Sequence, residues 1–303
     1  MAQNLEKDMA WAPGTRRETL LTLGVSPAMH IGVEIGAANN PIIPAHIGTC
    51  RYVDYMTTEQ LRERLADYPY RDSLVAIDYV WSGSGSLVDR IGADRFDYAI
   101  ASHVIEHVPN PVGWFSGIYE ALKPGARFNL AIPDRRFTFD ICAPESSLGE
   151  FVEAALLNYE RPSARQVFDC CYYGKAIEPG NRWSDKLDVQ SVPAFTGDIA
   201  PALALQQARE AIQGTYFDSH CWVFTPDSFL RVLRGLCLVG MFPFELVDFH
   251  PTIEDEFEFF LCLERPLEAL AADALLARQI ARIDFFEKAI EERNRRSRLL
   301  IET

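Results

Sequence analysis

The chain has 303 residues, 48% of them hydrophobic, which allows a sizeable core and excludes a disordered chain. Lys and Arg number 29 against 43 Asp and Glu, a formal charge of −14 that repels phosphate backbones and argues against a nucleic-acid partner. The seven cysteines are odd in number and lack C-x-x-C spacing, so they read as reduced thiols of a cytoplasmic protein. No apolar run approaches the length of a membrane span, and the polar stretch before Thr15 is not a secretory signal.

Taken in chain order, short apolar runs alternate with helical stretches, the pattern of a parallel sheet with crossover helices. Ile31 to Ile35 reads as a first strand entering a Gly36 turn, and Arg51 to Tyr55 as a second. Thr57 caps a helix to Asp67. Leu74 to Tyr79 is expected as the third strand, ended by Ser82-Gly83-Ser84-Gly85. Phe96 to Ser102, nearly all apolar, suits a strand covered on both faces. Pro111 to Leu122 is a helix stopped by Lys123-Pro124-Gly125, and Arg127 to Ile132 is the fifth strand.

The alternation then breaks. Helical patches at Leu148 to Tyr159 and Ala200 to Ile212 flank a Pro/Gly/Asp-rich loop near Glu178 to Asp198. A Thr225-capped helix at Pro226 to Leu238 restores it, followed by strands at Phe244 to Phe249 and Glu256 to Leu263. The short connection between these two permits an antiparallel pair at the sheet edge. The expected architecture is α/β: a Rossmann-like, seven-stranded, mostly parallel sheet with helices on both faces, a helical cap inserted after strand five, and a long C-terminal helix. The division is 1–133 for the cofactor-binding part, 134–217 for the cap, 218–265 for the end of the domain and 266–303 for the helix. The helix carries Leu276, Ile280, Ile283, Phe286 and Ile290 on one seam, which suits packing on its own domain or on a second copy as a homodimer.

Acidic residues mark three strand ends: Glu34, Asp54 and Asp78. A carboxylate at the second strand end accepts the ribose hydroxyls of an adenine nucleoside, and one at the third accepts from an adenine amino group. Three acids suit a cationic cofactor without phosphates. Gly36-Ala37-Ala38-Asn39-Asn40 is not a G-x-G-x-x-G phosphate cradle, which counts against a dehydrogenase using NAD. Ligand loops of open α/β sheets lie at the carboxyl ends of the strands, where the inserted cap would close a pocket.

The segment Asp94 to Pro133 is the most specific. Phe96-Asp97, Ile105-Glu106-His107-Val108 and Leu122-Lys123-Pro124-Gly125 resemble the core of the class I methyltransferases of the methyltransferase type 11 kind. The resemblance spans about residues 33–133 and, more loosely, 224–264. The chain departs from the family in keeping one glycine at the first turn, where Ala38 stands for a usual Gly. The resemblance implies S-adenosylmethionine as cofactor. Glu34, Gly36, Ala37, Ala38 and Asn39 would then line its methionine end, Asp54 would hold the ribose, Tyr55 and Met56 would pack on the adenine, and Asp78 and Tyr79 would face the adenine edge. Ser102 and His103 would lie near the sulfonium.

His103-Val104-Ile105-Glu106-His107 also matches the inverted zinc-peptidase motif, but Pro109 and Pro111 stop the helix that motif needs, so no metal is expected. Methyl transfer to a hydroxyl requires alignment and a base. His103 is the first candidate base, and His220, which Asp218 could orient, is the second. Asp134, Arg135, Trp183 and Tyr216 are candidate acceptor contacts. The aromatic set Trp81, Tyr172, Tyr173, Trp183, Tyr216 and Trp222 suggests a small-molecule acceptor such as a sugar or glycan intermediate. A methyltransferase fold without turnover remains an alternative.

Overall fold

Period-two and continuous apolar runs resolve into strands β1 (Ile31–Ile35), β2 (Thr49–Asp54), β3 (Tyr79–Val80), β4 (Phe96–Ser102), β5 (Leu122–Pro133), β6 (Glu245–His250) and β7 (Glu258–Glu264). The helices are α1 (Arg16–Leu21), α2 (Thr58–Arg64), α3 (Val88–Ile91), α4 (Pro111–Ala121), α5 (Leu148–Leu156), α6 (Ala164–Tyr173), α7 (Ala200–Ile212), α8 (Pro226–Leu238) and α9 (Ala272–Ile301). The computed structural model describes residues 12–83, 85–178, 182–183 and 187–301, the side chains of residue 294 and of 296–301 excepted. The polar stretch before residue 12, Ser84 and part of the loop near Glu178 to Asp198 lie outside these described residues.

The strands form one sheet in the order β3-β2-β1-β4-β5-β7-β6. It is parallel except for β7, which runs antiparallel to both β5 and β6. The sheet's larger core cluster gathers Trp114 and Phe115 of α4, Phe229 of α8 and Phe286 of α9. The smaller one packs Leu20 and Leu21 of α1 with Tyr52, Tyr98 and Phe260. Each fully buried ring such as Phe115, at 1% exposure, contributes roughly 2 kcal/mol of transfer free energy.

Local capping fixes the helix starts. The side chain of Thr57 accepts from Gln60 N–H while Gln60 reaches back, and Thr225 and Ser228 do the same before α8. Reciprocal caps also start α1 (Thr15 and Glu18) and α6 (Ser163 and Gln166), two helices the hydrophobic pattern alone does not announce.

Strand β3 differs from its expected span, beginning at Tyr79 rather than ending there. Residues before it bond elsewhere: Val75 N–H to Ala38 C=O at 2.9 Å, and Ile77 N–H to the Thr58 hydroxyl at 2.8 Å. Strand β5 starts early, because Leu122 already pairs with Phe96, and Gly125 turns the chain with φ of 78°. The apolar seam of α9 is used within the chain. Ile283, Phe286 and Ile290 are buried, Phe286 lies 6.1 Å from Phe249, and Gln279 donates to the carbonyls of Phe242 and Phe244. That part of the seam packs on its own domain. No helix among the described residues is long and apolar enough to cross a membrane.

Candidate functional site

Four parallel strands end at one cavity of about 260 Å³. Strand β1 gives Ile35 and Gly36, β2 gives Asp54 and Tyr55, the end of β3 gives Trp81-Ser82-Gly83, and β4 gives His103 and Val104. Arg64 of α2, His107, Glu160, Tyr216 and Asp218 complete the wall. Glu160 and Tyr216 come from the segment inserted after β5, which thus covers the carboxyl ends of the strands.

The Gly36 turn requires its glycine. Its φ is +69°, and a Cβ there would stand 2.7 Å from the Val104 side chain. Ala38, two residues on, holds φ of 48° without that freedom, and His103 holds 54°. Ala38 and His103 both border the cavity, where such strain is kept only because surrounding bonds enforce it. Ala38 C=O accepts from Val75, and His103 N–H donates to Ala131 C=O at 3.0 Å.

Asp54 is 7% exposed and accepts Tyr55 N–H at 2.8 Å. Burial pushes its carboxyl up to about 6, against hydrogen bonds from the Tyr55 and Met56 backbone that favour the charged form. Above it Tyr55 and Tyr216 stack with centroids 5.8 Å apart, and the Arg64 guanidinium lies over the Tyr216 ring. Trp81 is anchored by its indole N–H to Gly85 C=O.

On the opposite side, His103 Nε2 lies 2.7 Å from the Glu258 carboxylate and Nδ1 lies 3.6 Å from Glu106. Glu258 also binds Arg17 at 2.9 Å, and Arg17 donates to the Ser102 hydroxyl, so α1 ties down this corner. Burial opposes charge on Glu258, yet the His103 and Arg17 contacts hold its carboxyl below the usual range. His107 Nδ1 meets Asp218 at 2.9 Å. Burial works against the His107 cation, but Asp218 and the buried Glu106 keep its pKa raised.

Several expected site residues sit elsewhere. Glu34 does not line the cavity. Its carboxylate accepts Ile42 N–H and Ile43 N–H at 2.8 and 3.2 Å on the other face of the sheet, and burial raises its pKa to about 7. Ala37 is buried in the smaller core, Asn39 is exposed, and neither it nor Met56 borders the cavity. Asp78 accepts Tyr52 N–H at 2.8 Å and pairs with Arg51, while Tyr79 O–H donates to Asp94. The β2–β3 register sets Asp54 opposite Val80, so Trp81, Ser82 and Gly83 take the place expected of Asp78 and Tyr79. Asp134 is fully buried against Arg136 and Thr252, and Arg135 is turned onto Ile141 C=O. Trp183 stacks on Phe137 and donates to Glu256 C=O. Of the acceptor candidates only Tyr216 borders the cavity, and of the aromatic set only Trp81 and Tyr216 do. His220 lies behind His107, with Nδ1 on Asp140 at 2.6 Å rather than on Asp218. Sequence alone does not name Arg17, Glu258 or Arg64 as site residues. Arg17 and Glu258 are recruited over 241 and 155 residues of separation, and no short motif marks them.

The residues present fit S-adenosylmethionine. A glycine-lined approach at Gly36, a carboxylate at the second strand end and aromatic walls meet in one cavity. The methyltransferase domain family matches residues 31–236. None of the curated proteins matches the sequence. Among solved structures, the CcbJ methyltransferase from Streptomyces caelestis is 12% identical, covering 84% of this chain and 99% of that one with a TM-score of 0.42. An S-adenosylmethionine-dependent methyltransferase from Mesorhizobium loti is 15% identical, with 83% and 99% covered and a TM-score of 0.41. The glycopeptide N-methyltransferase MtfA complexed with sinefungin is 19% identical with a TM-score of 0.29, and the match covers 41% of this chain and 56% of that one. Through the methyltransferase domain at residues 31–236, the chain belongs to the class I S-adenosylmethionine-dependent methyltransferases.

Proposed function

We propose that the chain methylates a hydroxyl oxygen of a small polar acceptor, a sugar or glycan intermediate, with His103 as general base. The observation that carries this reading is the Glu258–His103 pair at the end of β4, 2.7 Å apart, with His103 lining the cavity. The cofactor, when bound, supplies a methyl group on a sulfonium, an electrophile that needs no further activation. The protein's tasks are then alignment and proton removal. Glu258 holds the Nε2 proton of His103, which leaves Nδ1 to take the acceptor's proton as its oxygen gains the methyl group. Trp81 and Tyr216 offer rings on which a sugar face stacks. Asp54 accepts the ribose hydroxyls, and Tyr55 packs on the adenine.

An NAD-dependent reaction is disfavoured, because a first turn with one glycine, sharing the cavity with the carboxylates of Asp54 and Asp218, does not cradle a pyrophosphate. The test is methyl transfer from labelled S-adenosylmethionine to a panel of sugars, small acids, lipids and RNA. Turnover on hydroxylated small molecules is expected, with kcat of His103→Ala lower by about 10² to 10⁴. Turnover on RNA alone, or an unchanged kcat in that variant, overturns the reading. Cofactor binding without turnover on any member of the panel assigns the chain to the fold without the activity.

A further inference from the structure

We propose that Glu106, His107 and His220 bind a divalent first-row transition-metal ion in the wall of the cofactor cavity. One donor atom from each lies within 4.8 Å of the other two. A tetrahedral ion about 2.1 Å from each requires donors roughly 3.4 Å apart, a closure of up to about 1.4 Å that side-chain rotation supplies.

Glu106 is the observation that demands a partner. It is 0% exposed, and neither carboxylate oxygen has a hydrogen bond among the described residues. The His103 ring at 3.6 Å is beyond hydrogen-bonding range. An ionised carboxylate there has the His103 and His107 rings near it but accepts no hydrogen bond among the described residues, and a protonated one leaves its O–H unpaired. A cation on it removes both problems.

The histidines are held as ligands are held. His107 Nδ1 is bound to Asp218 at 2.9 Å and His220 Nδ1 to Asp140 at 2.6 Å, so Nε2 of each ring is the nitrogen left for an ion. A carboxylate on the far nitrogen fixes the tautomer and raises basicity toward a metal. Cys221 N–H donates to Glu106 C=O at 2.6 Å, which locks the His220 segment onto the Glu106-His107 turn. The set is not the inverted zinc-peptidase motif. Ile105–His107 is a single 3₁₀ turn, His103 is engaged by Glu258, and the third ligand comes from beyond the inserted segment.

Two imidazoles and one carboxylate suit Zn²⁺, Mn²⁺, Fe²⁺ or Co²⁺ and disfavour Mg²⁺ and Ca²⁺, which take oxygen ligands. Three protein ligands leave positions open, as in sites where the ion also holds a water or a substrate oxygen. His107 borders the cavity, so an acceptor hydroxyl bound there would be acidified next to the methyl donor. That use rests on the proposed reaction, whereas binding of the ion does not.

The test is calorimetric titration of metal-stripped protein with ZnCl₂, MnCl₂ and MgCl₂, together with the absorption spectrum of the Co²⁺-loaded protein. One equivalent of Zn²⁺ or Mn²⁺ is expected, with visible Co²⁺ bands. Glu106→Gln and His220→Ala should each lose the site, and Asp140→Asn should weaken it about 10- to 100-fold. Retained S-adenosylhomocysteine binding shows that each variant is folded, and no step depends on turnover. Absence of saturable uptake overturns the proposal, as does uptake unchanged in both ligand variants or Mg²⁺ binding as tightly as Zn²⁺.

Discussion

With Asp54 on the cofactor ribose, as proposed, cofactor affinity should depend on pH. Its carboxyl is pushed up to about 6, mainly by burial. Only the charged form accepts from both ribose hydroxyls while it also accepts Tyr55 N–H. The ionised fraction is about one in eleven at pH 5 and about ten in eleven at pH 7. Affinity for S-adenosylhomocysteine should therefore rise about tenfold over that interval, ~1.4 kcal/mol, and level off above it. Calorimetric titration at pH 5, 6 and 7 measures this. Asp54→Asn should bind roughly 10- to 100-fold more weakly at pH 7, the loss of a hydrogen bond to a charged group, and should lose most of the pH dependence. His107 and Asp218 also line the cavity, and the Asn variant separates their contribution. An affinity that is flat from pH 5 to 7, or a full pH slope surviving in Asp54→Asn, refutes the reasoning.

Glu34, raised from 4.5 to about 7, acts on folding instead of binding. The native state then holds the extra proton between those values, so this group's contribution is full below pH 4.5, falls by on the order of 3 kcal/mol as pH rises to 7, and is level above. Urea unfolding should show that decline in the wild type but not in Glu34→Gln, and parallel pH curves would refute it. At the first turn, Gly36→Ala should abolish cofactor binding, because its φ of +69° and the 2.7 Å approach to Val104 both oppose a Cβ. Ala38→Gly should raise stability by about 0.5–1 kcal/mol in the same assay, the left-handed penalty of Ala less the chain entropy of Gly. A neutral Gly36→Ala or a destabilised Ala38→Gly contradicts the turn geometry. Phe286→Ala should cost about 3–5 kcal/mol by urea unfolding if the α9 seam covers its own domain, and a cost under about 1 kcal/mol would place that seam elsewhere.

How much of the site can be read from sequence depends on which physical rule places each residue. Asp54 is within reach of strand counting, because β2 ends on it, one residue short of the expected end at Tyr55. Asp78 does not, because the run at Leu74 to Asp78 is held by Ala38, Thr58 and Tyr52 instead of a strand ladder, and only the pairing of Asp54 with Val80 shows that Trp81 reaches the cavity. The place of Glu34 follows from strand periodicity. Val33 and Ile35 alternate with it, and once that pair faces the larger core, period two sends Glu34 to the opposite face, with Tyr52 and Tyr98. The Glu258–His103 pair needs the whole topology. Strand β7 turns back beside β5 so that Glu258 stands opposite Pro133, next to the end of β4, and Arg17 reaches the same point from α1. Strand ends can be counted along a chain, but the side chains that activate a group at a strand end come from elements that the sheet order brings beside it. His103 and its carboxylate partner are for that reason legible as a pair only together with the sheet.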